Sequence, residues 1–194
     1  MVERMGQKRK TLKLEDIPRY ESLIAAIEKA KRHRYKDRDL ALISILVFTG
    51  CRLGEAMKIR VKDLDFKHRT ITIHQEKKGR KFIRIVPVVS DMFWNIMERY
   101  VRTIPYRNER LFDLTIRQGR NIVYSFTGKY LKRRIRPHAI RHSYAVFILK
   151  HTKDLEAVRR LLGHADYKWL KAYLDYSQED LETMLREAYE KLGS

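Results

Sequence analysis

The sequence predicts a mainly α-helical chain with one small antiparallel β-sheet, and three observations carry that expectation. Residues Asp39–Thr49 are almost continuously apolar and run up to Gly50, as a mostly buried helix ending at glycine would. Between Thr70 and Val86 the pattern changes to strand-like alternation on either side of a basic, glycine-containing turn. Helical spacing then returns and persists in several segments to the C-terminus.

Taken in order, residues 1–11 are polar and basic and read as an N-terminal arm or linker, leaving 12–194 as one domain. Leu14, Ile17, Leu23, Ile24 and Ile27 give a surface helix over Leu12–Ala30, with Pro18 near its start. Lys31–Arg38 is a basic connection to the apolar helix, and Leu53–Ile59 begins another short helix. Val61–Phe66 leads outward from it. Ile71 and Ile73 alternate with Thr70, Thr72 and His74; Ile83, Ile85 and Val86 form the return strand before Pro87. The tip between them, Glu76-Lys77-Lys78-Gly79-Arg80-Lys81, is strongly basic. A helix follows at Asp91–Val101, then a less regular stretch over Arg102–Arg120 and a short helix within Asn121–Arg134. Pro137 precedes a helix over His138–Leu149, and Leu155, Val158, Leu161 and Leu162 mark another that stops at Gly163. Trp169–Tyr173 reads as a short helix and Glu179–Leu192 as a final amphipathic one.

The 43 Lys and Arg against 24 Asp and Glu leave a net charge of +19, a field that gathers polyanions. Nucleic acid leads among the partners, because each neutralised phosphate releases counterions. Anionic membrane is the competitor, and an acidic protein partner or a thermophile's charged surface is the plainer reading. Cys51 is the single cysteine, so no internal disulfide forms; it reads as a small buried hydrophobe at a helix end. No secretory signal is evident, and the apolar runs are interrupted well before bilayer length. A cytoplasmic or nucleoid-associated protein without a membrane span is expected.

Four clusters carry chemistry. His138 and Arg141 are three residues apart on a helix, so both can face one phosphate; an ordinary surface ion pair fits the same spacing. His138 and His142 have metal-ligand spacing, but no nearby acid or cysteine completes a shell, so no metal or other cofactor is expected. Arg52 emerges just past Gly50, with Glu55 three residues on to orient its guanidinium, or to form a simple pair with it. His164 and Tyr173 are nine residues apart and would fall on opposite faces of one unbroken helix. They converge only across a break, which Gly163 and Asp166 suggest. Alone, Tyr173 also fits a core tyrosine, one of 11 in the chain.

In order, these pieces resemble the catalytic domain of the tyrosine recombinase, or phage integrase, family. Thr49-Gly50-Cys51-Arg52-Leu53-Gly54-Glu55 is similar to its first-arginine motif. Glu76 to Pro87 resembles its basic hairpin, His138-Ala139-Ile140-Arg141-His142 its histidine–arginine motif, and Leu161-Leu162-Gly163-His164 with Tyr173 its last histidine and nucleophile. In such relatives a DNA-clamping helical domain precedes the catalytic one. The resemblance starts near Leu12, so the chain is expected to correspond to the C-terminal catalytic domain, with that domain's fold.

The resemblance implies a site-specific DNA recombinase or integrase acting through a 3′-phosphotyrosyl intermediate on double-stranded DNA. Tyr173 is then the nucleophile, and Arg52 and Arg141 stabilise charge at phosphorus. His138 takes a proton or bonds the phosphate, His164 donates to it, and a hairpin lysine protonates the departing oxygen. Lys78 is the preferred lysine, with Lys77 and Lys81 behind it, although the family usually flanks this lysine with glycines. Self-association on DNA, by way of the C-terminal helix, is also implied. A type IB topoisomerase-like or telomere-resolving enzyme and a catalytically weak DNA-binding fragment are the alternatives.

Overall fold

The structure, a computed structural model, describes residues 16–77, 80–105 and 109–163, together with the isolated positions 170, 182, 186, 189 and 190. The expected arm at 1–11, Lys78 and the span 164–169 lie outside the described residues. The helices expected at Trp169–Tyr173 and Glu179–Leu192 lie outside them too, save for those isolated positions.

Seven α-helices, one 3-10 turn (Val61–Asp63) and three strands follow one another among the described residues: α1 (Tyr20–Arg32), α2 (Asp37–Thr49), α3 (Leu53–Ala56), β1 (Leu64–Asp65), β2 (Thr70–Lys77), β3 (Arg80–Pro87), α4 (Asp91–Val101), α5 (Ile116–Leu131), α6 (Pro137–Thr152) and α7 (Leu155–Leu162). This is the mainly helical fold with a small antiparallel sheet that the sequence predicts.

α2 is the hub. Leu40 to Val47 are all fully buried, and the helix packs against α1, α4, α5 and α6. At roughly 2 kcal/mol for each large buried aliphatic, this one helix anchors the core. It ends at Gly50, whose φ of 59° is left-handed. A Cβ there would lie 2.5 Å from both Leu162 and Tyr144, so glycine is required by space as well as by torsion. A smaller apolar cluster of Tyr144, Ala145, Leu149, Val158, Leu162 and Leu170 joins α6 to α7.

Three boundaries depart from the sequence expectation. α1 begins at Tyr20, not Leu12: Arg19 is extended (φ −64°, ψ 137°), and Pro18 disfavours helix at the residue before it. α5 begins at Ile116, not near Asn121, because Thr115 and Gln118 cap it reciprocally: Thr115 Oγ1 accepts from the Gln118 N–H, and the Gln118 side chain accepts from the Thr115 N–H. Leu64–Asp65 is a third strand, paired antiparallel with β2 to give the sheet order β1-β2-β3.

Register decides which face of the hairpin is buried. Ile71 pairs with Val86 and Ile73 with Arg84, and this face turns inward. Ile83 and Ile85 occupy the other face and are 65% and 64% exposed. β2 and β3 stay paired out to Lys77 and Arg80.

Candidate active site

The turn from α2 into α3 presents the first arginine. Past Gly50, the chain buries Cys51 at 1% exposure, and burial pushes its thiol up to about 11, so it is a packing residue, not a nucleophile. Arg52 is extended (φ −71°, ψ 148°) and starts α3. Its backbone N–H donates to Glu55 Oε2 at 2.9 Å, and its Nη1 donates to Glu55 Oε1 at 2.8 Å. Glu55 is buried at 7% exposure, whereas the Arg52 side chain keeps 35% of its surface in solvent. The carboxylate therefore fixes one edge of the guanidinium and leaves the rest facing outward.

The second arginine comes from α6. Pro137 sits at the first helical position, where its missing N–H costs nothing and its φ is preset. One turn on, Arg141 is 6% exposed. Its Nη1 donates to the Gly50 carbonyl and its Nη2 to the Leu162 carbonyl, each at 2.9 Å. Gly50 caps α2 and Leu162 is the last residue of α7. Carbonyls at helix C-termini lack intrahelical donors and carry partial negative charge. Arg141 thus joins the ends of two helices while bringing its charge to the site.

His138, in the first turn of α6, reaches solvent, yet the protein packed around its ring desolvates it. That desolvation, then the positive charges of Arg141 and Arg52, hold its pKa below the usual imidazole range; Glu55 opposes the shift. These mutual effects put Arg52, His138 and Arg141 in one electrostatic neighbourhood. The imidazole there is neutral near pH 7, with a lone pair available to accept a proton. His142 lies one turn further, its ring 6.4 Å from that of His138, and burial depresses it to about 4. Among the described residues no group of three or more His, Cys, Asp or Glu is arranged to hold a metal.

Arg52, His138 and Arg141, all expected from the sequence, are therefore assembled on one rim. Lys78, His164 and Tyr173 lie outside the described residues. In sequence, the described residues adjoin two of these positions: β2 ends at Lys77, and α7 ends at Leu162 with Gly163 after it. Gly163 has φ 79°, and a Cβ there would lie 2.6 Å from Gln75 Oε1 on β2, so glycine allows α7 to end against the hairpin. A cavity of about 250 Å³ lies at that junction, lined by Gln75, Phe82, Arg84, Arg160 and Gly163 among others.

Sequence reasoning gave one residue at the site no role of its own. Arg84, read simply as part of the hairpin, is 9% exposed at its side chain. Its Nη2 donates to Glu55 Oε2 at 2.7 Å and its Nε to the Leu161 carbonyl at 3.1 Å. The available signal was parity: two residues before the inward Val86, Arg84 had to share its face.

Comparison with known proteins finds relatives over most of the chain. The profile of the phage integrase family matches residues 17–180. A tyrosine recombinase of Pseudothermotoga lettingae is 33% identical over 143 residues, covering 71% of this chain and 49% of that protein. The tyrosine recombinase XerH of Campylobacter jejuni is 25% identical over 175 residues, covering 85% and 49%. Among solved structures, XerA recombinase superposes with a TM-score of 0.66 at 20% identity, covering 89% of this chain and 66% of that one. XerH recombinase in a pre-cleavage complex with its difH substrate gives 0.64 at 26%, covering 89% and 52%. The chain spans about half the length of the curated relatives it matches. Among the described residues no helix is long and apolar enough to cross a membrane.

Proposed function

We propose, because this chain belongs to the phage integrase family, that it is a site-specific DNA recombinase or integrase working through a 3′-phosphotyrosyl intermediate. The observation that carries the reading is the pair of arginine seats: Arg52 held by Glu55 at the start of α3, and Arg141 on α6 held by the Gly50 and Leu162 carbonyls, one turn on from His138.

On this reading the Tyr173 oxygen attacks a phosphorus of duplex DNA as its proton passes to His138. The bond from phosphorus to the 5′ oxygen breaks, and that oxygen takes a proton from Lys78. Arg52, Arg141 and His164 donate to the non-bridging oxygens, where negative charge grows in the transition state. The phosphotyrosyl ester retains the energy of the bond it replaced, so a 5′-hydroxyl from another strand reverses the step and joins new partners without ATP. Tyrosine's ordinary pKa is about 10, and a cationic rim favours the phenolate.

The wider assignment is of the same kind. Residues 12–194 act as the catalytic domain and 1–11 as a basic arm or linker. Arg60, Lys62, Lys132, Arg133, Arg134 and Arg136 belong to the charge excess that meets DNA phosphates. The segment Glu179–Leu192 supplies an apolar face for docking on a second copy assembled on DNA.

Incubation with nicked suicide duplex, then denaturing electrophoresis and peptide mapping, tests the reading. A covalent adduct on Tyr173, formed in the presence of a chelator and absent from Tyr173→Phe, is expected. An adduct on another residue overturns the nucleophile assignment. Strand exchange between two marked duplexes separates recombinase from a topoisomerase-like enzyme, which relaxes supercoils without exchange.

A further inference from the structure

The geometry points to Arg84 as a positioning residue of the candidate active site, one guanidinium that ties the lysine hairpin to the Arg52 seat and to the end of α7. This inference rests on the recombinase reading for its catalytic meaning, but its geometry stands separately.

Arg84 occupies a position where the fold alone calls for an aliphatic. It projects from β3 to the inner face of the sheet, opposite Ile73 and beside the Ile71–Val86 pair, all three of which are fully buried. A nearly enclosed guanidinium is costly there unless its donors are matched. Two of its nitrogens are matched, each to a different element: Nη2 to Glu55 on α3 and Nε to the Leu161 carbonyl in the last turn of α7. The third, Nη1, is buried, has no hydrogen-bond partner among the described residues and lies near Gly163. The arrangement suits a residue kept for what it aligns.

Each tie leads to a group in the proposed chemistry. Through Glu55, Arg84 sets Arg52: Oε2 accepts from both Arg84 Nη2 and the Arg52 backbone N–H, while Oε1 accepts from Arg52 Nη1. Through Leu161, it fixes the turn that precedes Gly163 and His164. Through its own strand, it fixes the hairpin whose tip carries Lys78. The carbonyl of the next residue, Leu162, accepts from Arg141, so the two guanidiniums grip successive carbonyls of α7.

Charge reinforces the geometry. Burial alone would raise the Glu55 pKa; the Arg84 charge and hydrogen bond, then the bonds from Arg52, bring it below the ordinary range. Arg52 at the start of α3 and Arg84 on β3 bond this carboxylate, and His138 on α6 and the Cys51 thiol feel its charge. Without Arg84 the largest opposition to burial is gone, so the Glu55 pKa rises and its charged hold on Arg52 weakens at higher pH than in wild type.

The test compares wild type, Arg84→Met, Arg84→Lys and Glu55→Gln in single-turnover cleavage of nicked suicide duplex, with urea melts to establish folding. Folded Arg84 variants are expected to form the Tyr173 adduct at least about tenfold more slowly, with half-saturating DNA within about twofold of wild type. The acid limb of the pH–rate profile is expected to move to higher pH. Adding Glu55→Gln to Arg84→Met is expected to cost less than the two single losses combined. A wild-type rate and acid limb in a folded variant, or full additivity with Glu55→Gln, overturns the inference. Amide hydrogen exchange decides the geometric claim whether or not wild type forms an adduct. Residues 155–163 and 72–86 are expected to exchange at least about tenfold faster in Arg84→Lys, with α4 unchanged; unaltered exchange there overturns the inference. Absence of a wild-type adduct overturns the recombinase reading instead.

Discussion

At the start of α3, one carboxylate holds the Arg52 guanidinium, which keeps 35% of its side-chain surface in solvent. On α6, Arg141 is 6% exposed and donates to the carbonyls of Gly50 and Leu162. Both bring a cation to the same rim, yet their supports differ in kind. The Arg52 seat is a side chain, so it titrates and a mutation can remove it. The Arg141 seat is main chain at two helix ends, so it has no proton to gain and no side chain to lose. The first is adjustable through Glu55 and Arg84; the second is part of how α2, α6 and α7 pack. Two arginines with one proposed chemical role should therefore separate when stability is measured beside rate.

Replacing each arginine with methionine gives the largest effect and the sharpest separation. Loss of either is expected to slow adduct formation by about 100- to 1,000-fold, the scale for one oxyanion donor. Arg141→Met is also expected to lower unfolding stability by about 2 kcal/mol, because two carbonyls at helix ends lose a charged donor. Arg52→Met is expected to change it by about 0.5 kcal/mol or less, since a partly exposed ion pair contributes little. Single-turnover cleavage and urea melts provide both numbers. Equal stability losses would break the contrast between the two seats.

Gly50→Ala attacks the main-chain seat without touching a catalytic group. Its left-handed torsion and the 2.5 Å approaches to Tyr144 and Leu162 force α6 and α7 away from the end of α2. Strain and overpacking together predict a loss of about 2–4 kcal/mol, read as a lower urea midpoint at unchanged slope. A fully stable alanine variant would show that the junction yields, and that Arg141 is less firmly seated than its bonds imply.

What the sequence made legible follows the same division. α2, α4, α6 and the hairpin announce themselves through local periodicity, and Arg52–Glu55 and His138–Arg141 through three-residue spacing on helices. The start of α5 was missed because a Thr115–Gln118 cap outweighs an irregular composition. Arg84 received no role of its own because Ile83 and Ile85 on either side of it look like the buried set. Only the pairing of Ile71 with Val86 shows that the arginine faces inward. The bond from Arg141 to Gly50 crosses 91 residues, and nothing in local spacing encodes a contact of that range.

Acidity gives the smallest expected effect and probes the seat that titrates. The folded-state pKa of Glu55 lies below its ordinary value of 4.5, because the cations around it outweigh its burial. Its contribution to stability is therefore complete above about pH 4.5 and is lost as the pH falls through the lowered value. Arg141 and its carbonyls contribute no such dependence. Burial also depresses His138 and His142, which destabilises the acid side in wild type and Glu55→Gln alike, so this largely cancels in their difference. At pH 7 wild type is expected to exceed Glu55→Gln by about 1–2 kcal/mol, and the gap is expected to close as the pH falls below that of an ordinary carboxylate. Urea midpoints for both proteins at pH 7, 5, 4 and 3 on a roughly even scale measure it. A gap constant across that range would mean that Glu55 holds Arg52 by shape and not by charge, and the two seats would then be alike in kind.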